Sequence, residues 1–280
     1  MATIAESPCY LQLAGGLGNQ LFEIAAAYAH ARRTGRYLLI SAGTIGGRPA
    51  YWRTFLHKCA DRAVSTPPPG LQLWHEPHFH YAPIPRRMTG LYGYFQSSKY
   101  FADVSGEIRD LFDPHPVIKS VTNQKYAPLL TDEGRTAGCV VHIRRTDYLQ
   151  GANAPIHAVC DKAWYGRALA EMDRRRAGRP TRYLVFSDDL DWCRAPEQAD
   201  LWLSRDVTFV DERNDCVCLH LMSHFRAFVI SNSSFSWWAT WLQAPSLTDT
   251  KIVIAPSRWF GTGGPQDWQD VYEPDWIQVA

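Results

Sequence analysis

The 280-residue sequence has no excess of either charge: 29 Lys and Arg stand against 28 Asp and Glu, for a net +1. A protein that grips nucleic acid through its phosphates needs a basic surplus, so a general nucleic-acid binder is excluded. No run of about 18 apolar residues occurs, which excludes an integral helical membrane segment. Met1 to Pro8 shows no basic stretch followed by an apolar one, so no secretory leader is read there. The cysteines are an odd seven, and they lack zinc spacing: Cys216 and Cys218 form a C-x-C without a partner pair. No metal is therefore expected. Several cysteines lie in apolar runs, where a thiol acts as a small hydrophobe, and a reducing, cytoplasmic setting of bacterial type is the simpler expectation. The soluble part of an anchored Golgi-type enzyme would read the same way.

What is present is an ordinary globular balance, 46% hydrophobic and 20% charged, with 11 Trp. Aromatic faces suit sugar rings, but core packing is the first explanation for each Trp. The chain opens with an apolar strand at 9–14, a glycine turn at 15–19, a helix-forming run at 20–33 stopped by Thr34-Gly35, and a second strand at 37–41. Residues 42–90, rich in Pro, His and Gly, read as irregular connection, and the histidines at 75–80 lack the i,i+4 pairing of a metal site. A short strand at 91–95 and a helix at 99–111 follow, then a polar stretch at 119–136. The second half repeats the rhythm: strands at 139–143, 183–186, 208–210, 227–231 and 251–255, with helices at 162–176, 216–225 and 237–242. Strands alternating with helices imply doubly wound parallel sheets. Arg174, Arg175, Arg176, Arg179 and Arg182 form a basic cluster that reads as a solvated helix end.

In such sheets ligands sit beyond the carboxyl ends of strands, and four polar motifs fall there. Gly15-Gly16-Leu17-Gly18-Asn19-Gln20 joins a strand to a helix and leaves room for something to approach the backbone. It is not a P-loop, because no Gly-Lys-Ser/Thr follows, and Leu21 occupies the place of the third glycine of a dinucleotide fingerprint. In His142-Ile143-Arg144-Arg145-Thr146-Asp147, Arg144 at a strand end needs a partner, either Asp147 or a bound diphosphate, and the diphosphate is favoured. In Phe186-Ser187-Asp188-Asp189 the carboxylates could hold ribose hydroxyls or cap the next helix, and Asp189-Leu190-Asp191 is also a D-x-D. The most specific motif is Ser231-Asn232-Ser233-Ser234-Phe235-Ser236-Trp237-Trp238, in which a strand runs through small hydroxyl residues into a helix. Its N–H and O–H groups could meet a phosphate, and Phe235 a base or sugar.

Taken together, these four motifs resemble the α-1,2-fucosyltransferase family, glycosyltransferase family 11. So do Gly93-Tyr94-Phe95-Gln96-Ser97 with Lys99-Tyr100-Phe101, and Lys251 to Pro256 with Trp259-Phe260. The matches run in order over nearly the whole chain. The resemblance implies a GT-B fold of two Rossmann-like α/β domains facing a central cleft. The acceptor-side domain is placed at 1–128 and the GDP-sugar domain at 129–280, with the last segment packing back on the first. It implies an inverting fucosyltransferase moving L-fucose from GDP-β-L-fucose to a galactose-containing glycan, without metal or cofactor. His142, Arg144 and Arg145 would handle the donor, with Arg144 at the β-phosphate. Asn232, Ser233, Ser234 and Phe235 would complete the nucleotide site with Asp188, Asp189, Gly16 and Gly18, and Asn19 would face the cleft. Asp147 or His142 would take the acceptor proton.

The sequence departs from the family at Cys218, where relatives usually carry an acid suited to guanine's N1–H and N2–H₂ edge; Asp211 or Asp215 could substitute. Related α-1,6 enzymes also place a carboxylate shortly after the double Arg, whereas no acid stands between Asp147 and Asp161. Two rival readings follow: a glycosyltransferase using another sugar nucleotide, and a catalytically inactive glycan binder, which would bind glycan but no nucleotide. Oligomeric state is not legible.

Overall fold

The computed structural model describes residues 7–243 and 250–280. The described chain divides into two units. One runs to Val117 and takes in Asp267–Glu273; the other comprises Ile118–Gln266 and Pro274–Ala280.

In the N-terminal unit, β1 (Pro8–Ala14) is followed by α1 (Leu17–Thr34). The small side chains of Ala25, Ala26, Ala27, Ala29 and Ala31 let α1 bury almost its whole circumference. Gly35 ends it in the left-handed region, φ 69°, with its N–H on the Ala31 and Arg32 carbonyls. β2 (Tyr37–Ile45) runs parallel to β1. The 42–90 stretch, expected to be irregular, contributes two edge strands, β3 (Ala63–Val64) and β4 (Leu73–His75), and a 3-10 turn at His57–Arg62. β5 (Gly90–Tyr92) stops short of the expected Phe95, because Gly93 and Phe95 both take positive φ. A Cβ on Gly93 would lie 2.4 Å from that of Glu76, so only glycine fits. The helix expected at 99–111 is two 3-10 turns and a short α2 (Ser105–Leu111). The sheet order is β3-β2-β1-β5-β4, all parallel.

The polar stretch 119–136 is largely helical: α3 (Pro116–Lys125) opens on proline, and α4 (Asp132–Ala137) is capped by Thr131. Then come β6 (Gly138–Ile143), α5 (Lys162–Arg175), β7 (Arg182–Ser187), α6 (Leu190–Arg194), α7 (Ala199–Trp202), β8 (Asp206–Phe209), α8 (Asp215–Met222), β9 (Ala227–Val229), α9 (Ser234–Leu242), β10 (Ile252–Pro256) and β11 (Ile277–Val279). The order is β11-β10-β9-β6-β7-β8, again all parallel. β6 is buried at every position, as a central parallel strand should be. One face of this sheet packs Val141, Ile143, Val185, Val229 and Ile254 against Trp164, Tyr165, Leu169 and Met172 of α5. Trp237 and Trp238 are wholly buried, which settles them as core. Arg174 and Arg175 pair with Glu171 at the solvated end of α5, and Arg182, which opens β7, pairs with Asp206 of β8. Arg176 is different: it is buried and donates to the Thr136 and Pro180 carbonyls.

Both sheets reverse their winding beside the first strand, between β1 and β5 and between β6 and β9. Such switch points open the crevices in which α/β sheets bind ligands.

Candidate active site

At the switch point of the C-terminal sheet, the loops after β6 and β9 are tied together. His142, 5% exposed, joins its Nδ1 to Ser231 Oγ at 2.9 Å, its carbonyl accepts from Tyr165 at 3.2 Å, and its ring lies 5.6 Å from that of Phe235. Burial, reinforced by the Arg144 charge, lowers its pKa to about 4. The imidazole is thus held neutral and enclosed beside Ser231 and Phe235.

Arg144 leaves the end of β6 with its guanidinium 30% exposed. It donates to Asp147 at 2.6 Å, lies 3.3 Å from Asp188, and sits 5.6 Å from the centre of the Tyr148 ring. Burial acts to lower its pKa, but the Asp188 and Asp147 carboxylates outweigh burial and hold it above its usual value. The Asp147 and Asp188 carboxylates hold this permanent cation at the crevice. Arg145 sits 3.3 Å from Asp189 and lays its guanidinium 4.0 Å from the Trp192 ring centre, a cation–π contact that uses its charge internally.

The two aspartates after β7 build the loop. Asp188 accepts the Arg145 and Thr146 N–H groups at 2.9 and 3.2 Å, and the Thr146 hydroxyl. Asp189 caps α6 through the Trp192 N–H at 3.1 Å. Asp189 thus caps α6, and Asp188 ties the loop after β6 to the loop after β7. The D-x-D is not an assembled pair, since Asp191 is exposed on the first turn of α6.

The Ser-rich turn is equally organised. Asn232 is buried and donates its amide to the Trp259 carbonyl at 2.7 Å, which holds the loop. Ser233 caps α9 by accepting the Phe235 N–H, and Ser236 turns back onto the Ser231 and Ser233 carbonyls. Ser234 and Phe235, half-buried, form the first turn of α9, which carries no acidic residue. The serines thus pre-form a helix start whose backbone N–H groups favour an anion.

Tyr148 was not legible as a site residue. Its hydroxyl donates to the Asn232 carbonyl at 3.0 Å, and its ring stacks on His157 at 3.8 Å while lying beside Arg144. It thereby couples the guanidinium to the Ser-rich turn. His157 is held in its turn by glycines: the Gly261 and Gly263 N–H groups donate to the Ile156 and Pro155 carbonyls at 2.7 and 2.9 Å. A Cβ on Gly261 would come 2.5 Å from the Pro155 oxygen. Near Cys218, Asp211 is exposed opposite Arg194, and Asp215 bonds the Cys216 N–H. The half-buried acid there is Glu212, which receives Lys125, Tyr126 and the Asn214 N–H. Burial pushes the Cys218 thiol up to about 12, and it donates to the Glu212 carbonyl.

Gly16, Gly18 and Asn19 belong to the other unit and lie at its own switch point. Gly15 carries the positive φ of 70° there, and a Cβ on it would come 2.5 Å from Asn19 Nδ2. Gly16 precedes α1 without a side-chain cap, and the space where its Cβ would stand is open. Asn19 accepts from Gln96 at 3.0 Å. Beneath them Glu23 is fully buried on the Ala14 N–H, and burial raises its pKa well above the usual carboxylate range.

An open α/β switch point bearing a held guanidinium beside a capped helix start defines the class, one with the GT-B fold. The fold is similar to that of the fucosyltransferase NodZ from Bradyrhizobium: TM-score 0.53, 14% identity, 83% of this chain and 93% of that one. It is also similar to POFUT1 in complex with GDP-fucose: TM-score 0.52, 11% identity, 91% and 99% covered. The chain belongs to glycosyl transferase family 11, whose profile matches residues 9–280. It is 34% identical to an α-1,2-colitosyltransferase of Escherichia coli over 170 residues, 60% of this chain and 55% of that one. It is 26% identical to the galactoside 2-α-L-fucosyltransferase SEC1 of Bos taurus over 274 residues, 95% and 72%. The chain thus spans about half the length of the bacterial relative, and no helix among the described residues is long and apolar enough to cross a membrane.

Proposed function

We propose that the protein is an inverting glycosyltransferase that moves L-fucose from GDP-β-L-fucose to a galactoside hydroxyl, forming an α-1,2 link. The observation that carries this reading is the joining of Arg144 to the start of α9 through Tyr148, at the switch point of a sheet. The names of the relatives supply the sugar, the linkage and the acceptor class.

Cleavage of the donor C1–O bond builds negative charge on the β-phosphate and positive charge at C1. Groups that meet this developing charge lower the barrier, and one such donor contributes about 3 kcal/mol. Arg144 and the positive end of α9 take that role, already oriented by Asp188, Tyr148 and Ser233. The acceptor hydroxyl attacks C1 from the face opposite the diphosphate, which inverts the anomeric centre. In an oxocarbenium-like transition state the hydroxyl loses its proton late. Of Asp147 and His142, the two groups read as proton acceptors, Asp147 is the more open, its side chain 31% exposed. No metal is assigned to this step, so turnover should survive EDTA.

The test is incubation with GDP-fucose and a simple β-galactoside, reading the product by NMR. A new α-1,2-fucosyl linkage supports the reading; nucleotide binding without transfer to any galactoside removes it. The 34% identity to a colitosyltransferase favours a second reading, in which the transferred sugar is colitose. A competition between the fucosyl and colitosyl nucleotides, compared as kcat/KM, separates the two.

A further inference from the structure

We propose that the N-terminal unit holds a divalent transition-metal site, of the kind that suits Zn²⁺, made by His78, His80 and Asp267. One donor atom from each residue lies within 4.8 Å of the other two. The residues come from opposite ends of the chain, and other bonds fix them together. Asp267 Oδ2 accepts the Phe79 and His80 N–H groups at 3.0 and 3.4 Å, and Asp270 accepts the Tyr81 N–H at 3.0 Å. Lys99 closes on Asp270 from the other side. The His78 and His80 rings meet edge to face at 4.9 Å, with His78 Nδ1 on the His80 carbonyl at 3.1 Å and 3.8 Å from Asp267 Oδ2.

Two imidazoles and a carboxylate are a donor set for Zn²⁺ and its neighbours in the first transition row, with water as the fourth ligand. Tetrahedral donors lie roughly 3.3 Å apart, so rotations of about an ångström bring all three onto one ion. His78 is 44% exposed, which leaves a path for the ion and for its water. The backbone bonds on Asp267 act as outer-shell support, orienting the carboxylate before metal arrives. An ion here would pin the 76–81 segment to the 267–271 segment.

The test uses the full chain, stripped with EDTA and titrated with Co²⁺. One Co²⁺ per chain should bind with the visible absorption of a tetrahedral site, Zn²⁺ should displace it, and Zn²⁺ should raise the melting temperature. His78→Ala and His80→Ala should each weaken binding by more than the about 10- to 100-fold lost with an outer-shell partner. Asp267→Asn keeps a backbone acceptor and should also lose the band, whereas His75→Ala should change nothing. Absence of a Co²⁺ band in the parent chain, or a band retained in the His78→Ala/His80→Ala double variant, would overturn the proposal. The GDP-induced melting shift of each variant, read in parallel, reports the nucleotide site separately.

Discussion

At the switch point of the C-terminal sheet, Arg144 and Arg145 stand among Asp147, Asp188 and Asp189, beside a helix start capped by Ser233. At the corresponding place in the N-terminal sheet, residues 12–23 and 90–98 contain no Lys or Arg. Asn19 there pairs with Gln96, and Glu23 is buried beneath them. Both crevices come from the same parallel winding, so topology alone does not choose the ligand. The side chains do: one crevice carries guanidinium groups at a helix start, and the other carries the neutral amides of Asn19 and Gln96.

The largest effect that could break this contrast is on turnover. Arg144→Ala should lower the transfer rate about 100-fold while the chain stays folded. Asn19→Ala should leave GDP binding unchanged; equal losses of GDP affinity in both variants would erase the distinction between the crevices. Tyr148→Phe keeps the ring beside Arg144 and removes the bond to the Asn232 carbonyl. It should lower stability by about 1 kcal/mol and, where the bond also aligns the site, lower kcat by up to roughly fivefold. An unchanged kcat would cut the link between the two halves of the site. Ser233→Ala removes the cap of α9 and should lower stability by about 1 kcal/mol in chemical denaturation.

The two crevices should also titrate with opposite sign. The His142 pKa is lowered in the fold to about 4, so its contribution to stability is complete above the unfolded value near 6.5 and is lost as pH falls towards 4. The Glu23 pKa is raised, so its contribution is complete below the unfolded value near 4.3 and is lost as pH rises through the folded one. Melting curves across pH should therefore flatten on the acid side in His142→Asn and on the alkaline side in Glu23→Gln. Parallel curves for either variant and the parent would contradict the assignment. The smallest expected effect is none: EDTA should leave the transfer rate unchanged.

The crevice residues were legible where an apolar strand runs straight into polar side chains, as β6 does into Arg144 and β9 into Ser233. Strands β3 and β4 were not, because two or three residues show no periodicity. α3 was hidden because only Ile118 and Thr122 of its ten residues are buried. The purpose of Asp188 was ambiguous because a carboxylate after a strand suits ribose and a loop N–H equally; only the fold brings Arg144 and Thr146 to it. Tyr148 had no signal at all, since its partner Asn232 lies 84 residues away. His78 and Asp267 share that property, with Phe79 bonded to Asp267 across 188 residues.

A crystal structure of the chain with GDP tests the central claim most directly. The account predicts the β-phosphate on the Arg144 guanidinium at the start of α9. A diphosphate bound instead at Gly16, on the start of α1, would contradict it.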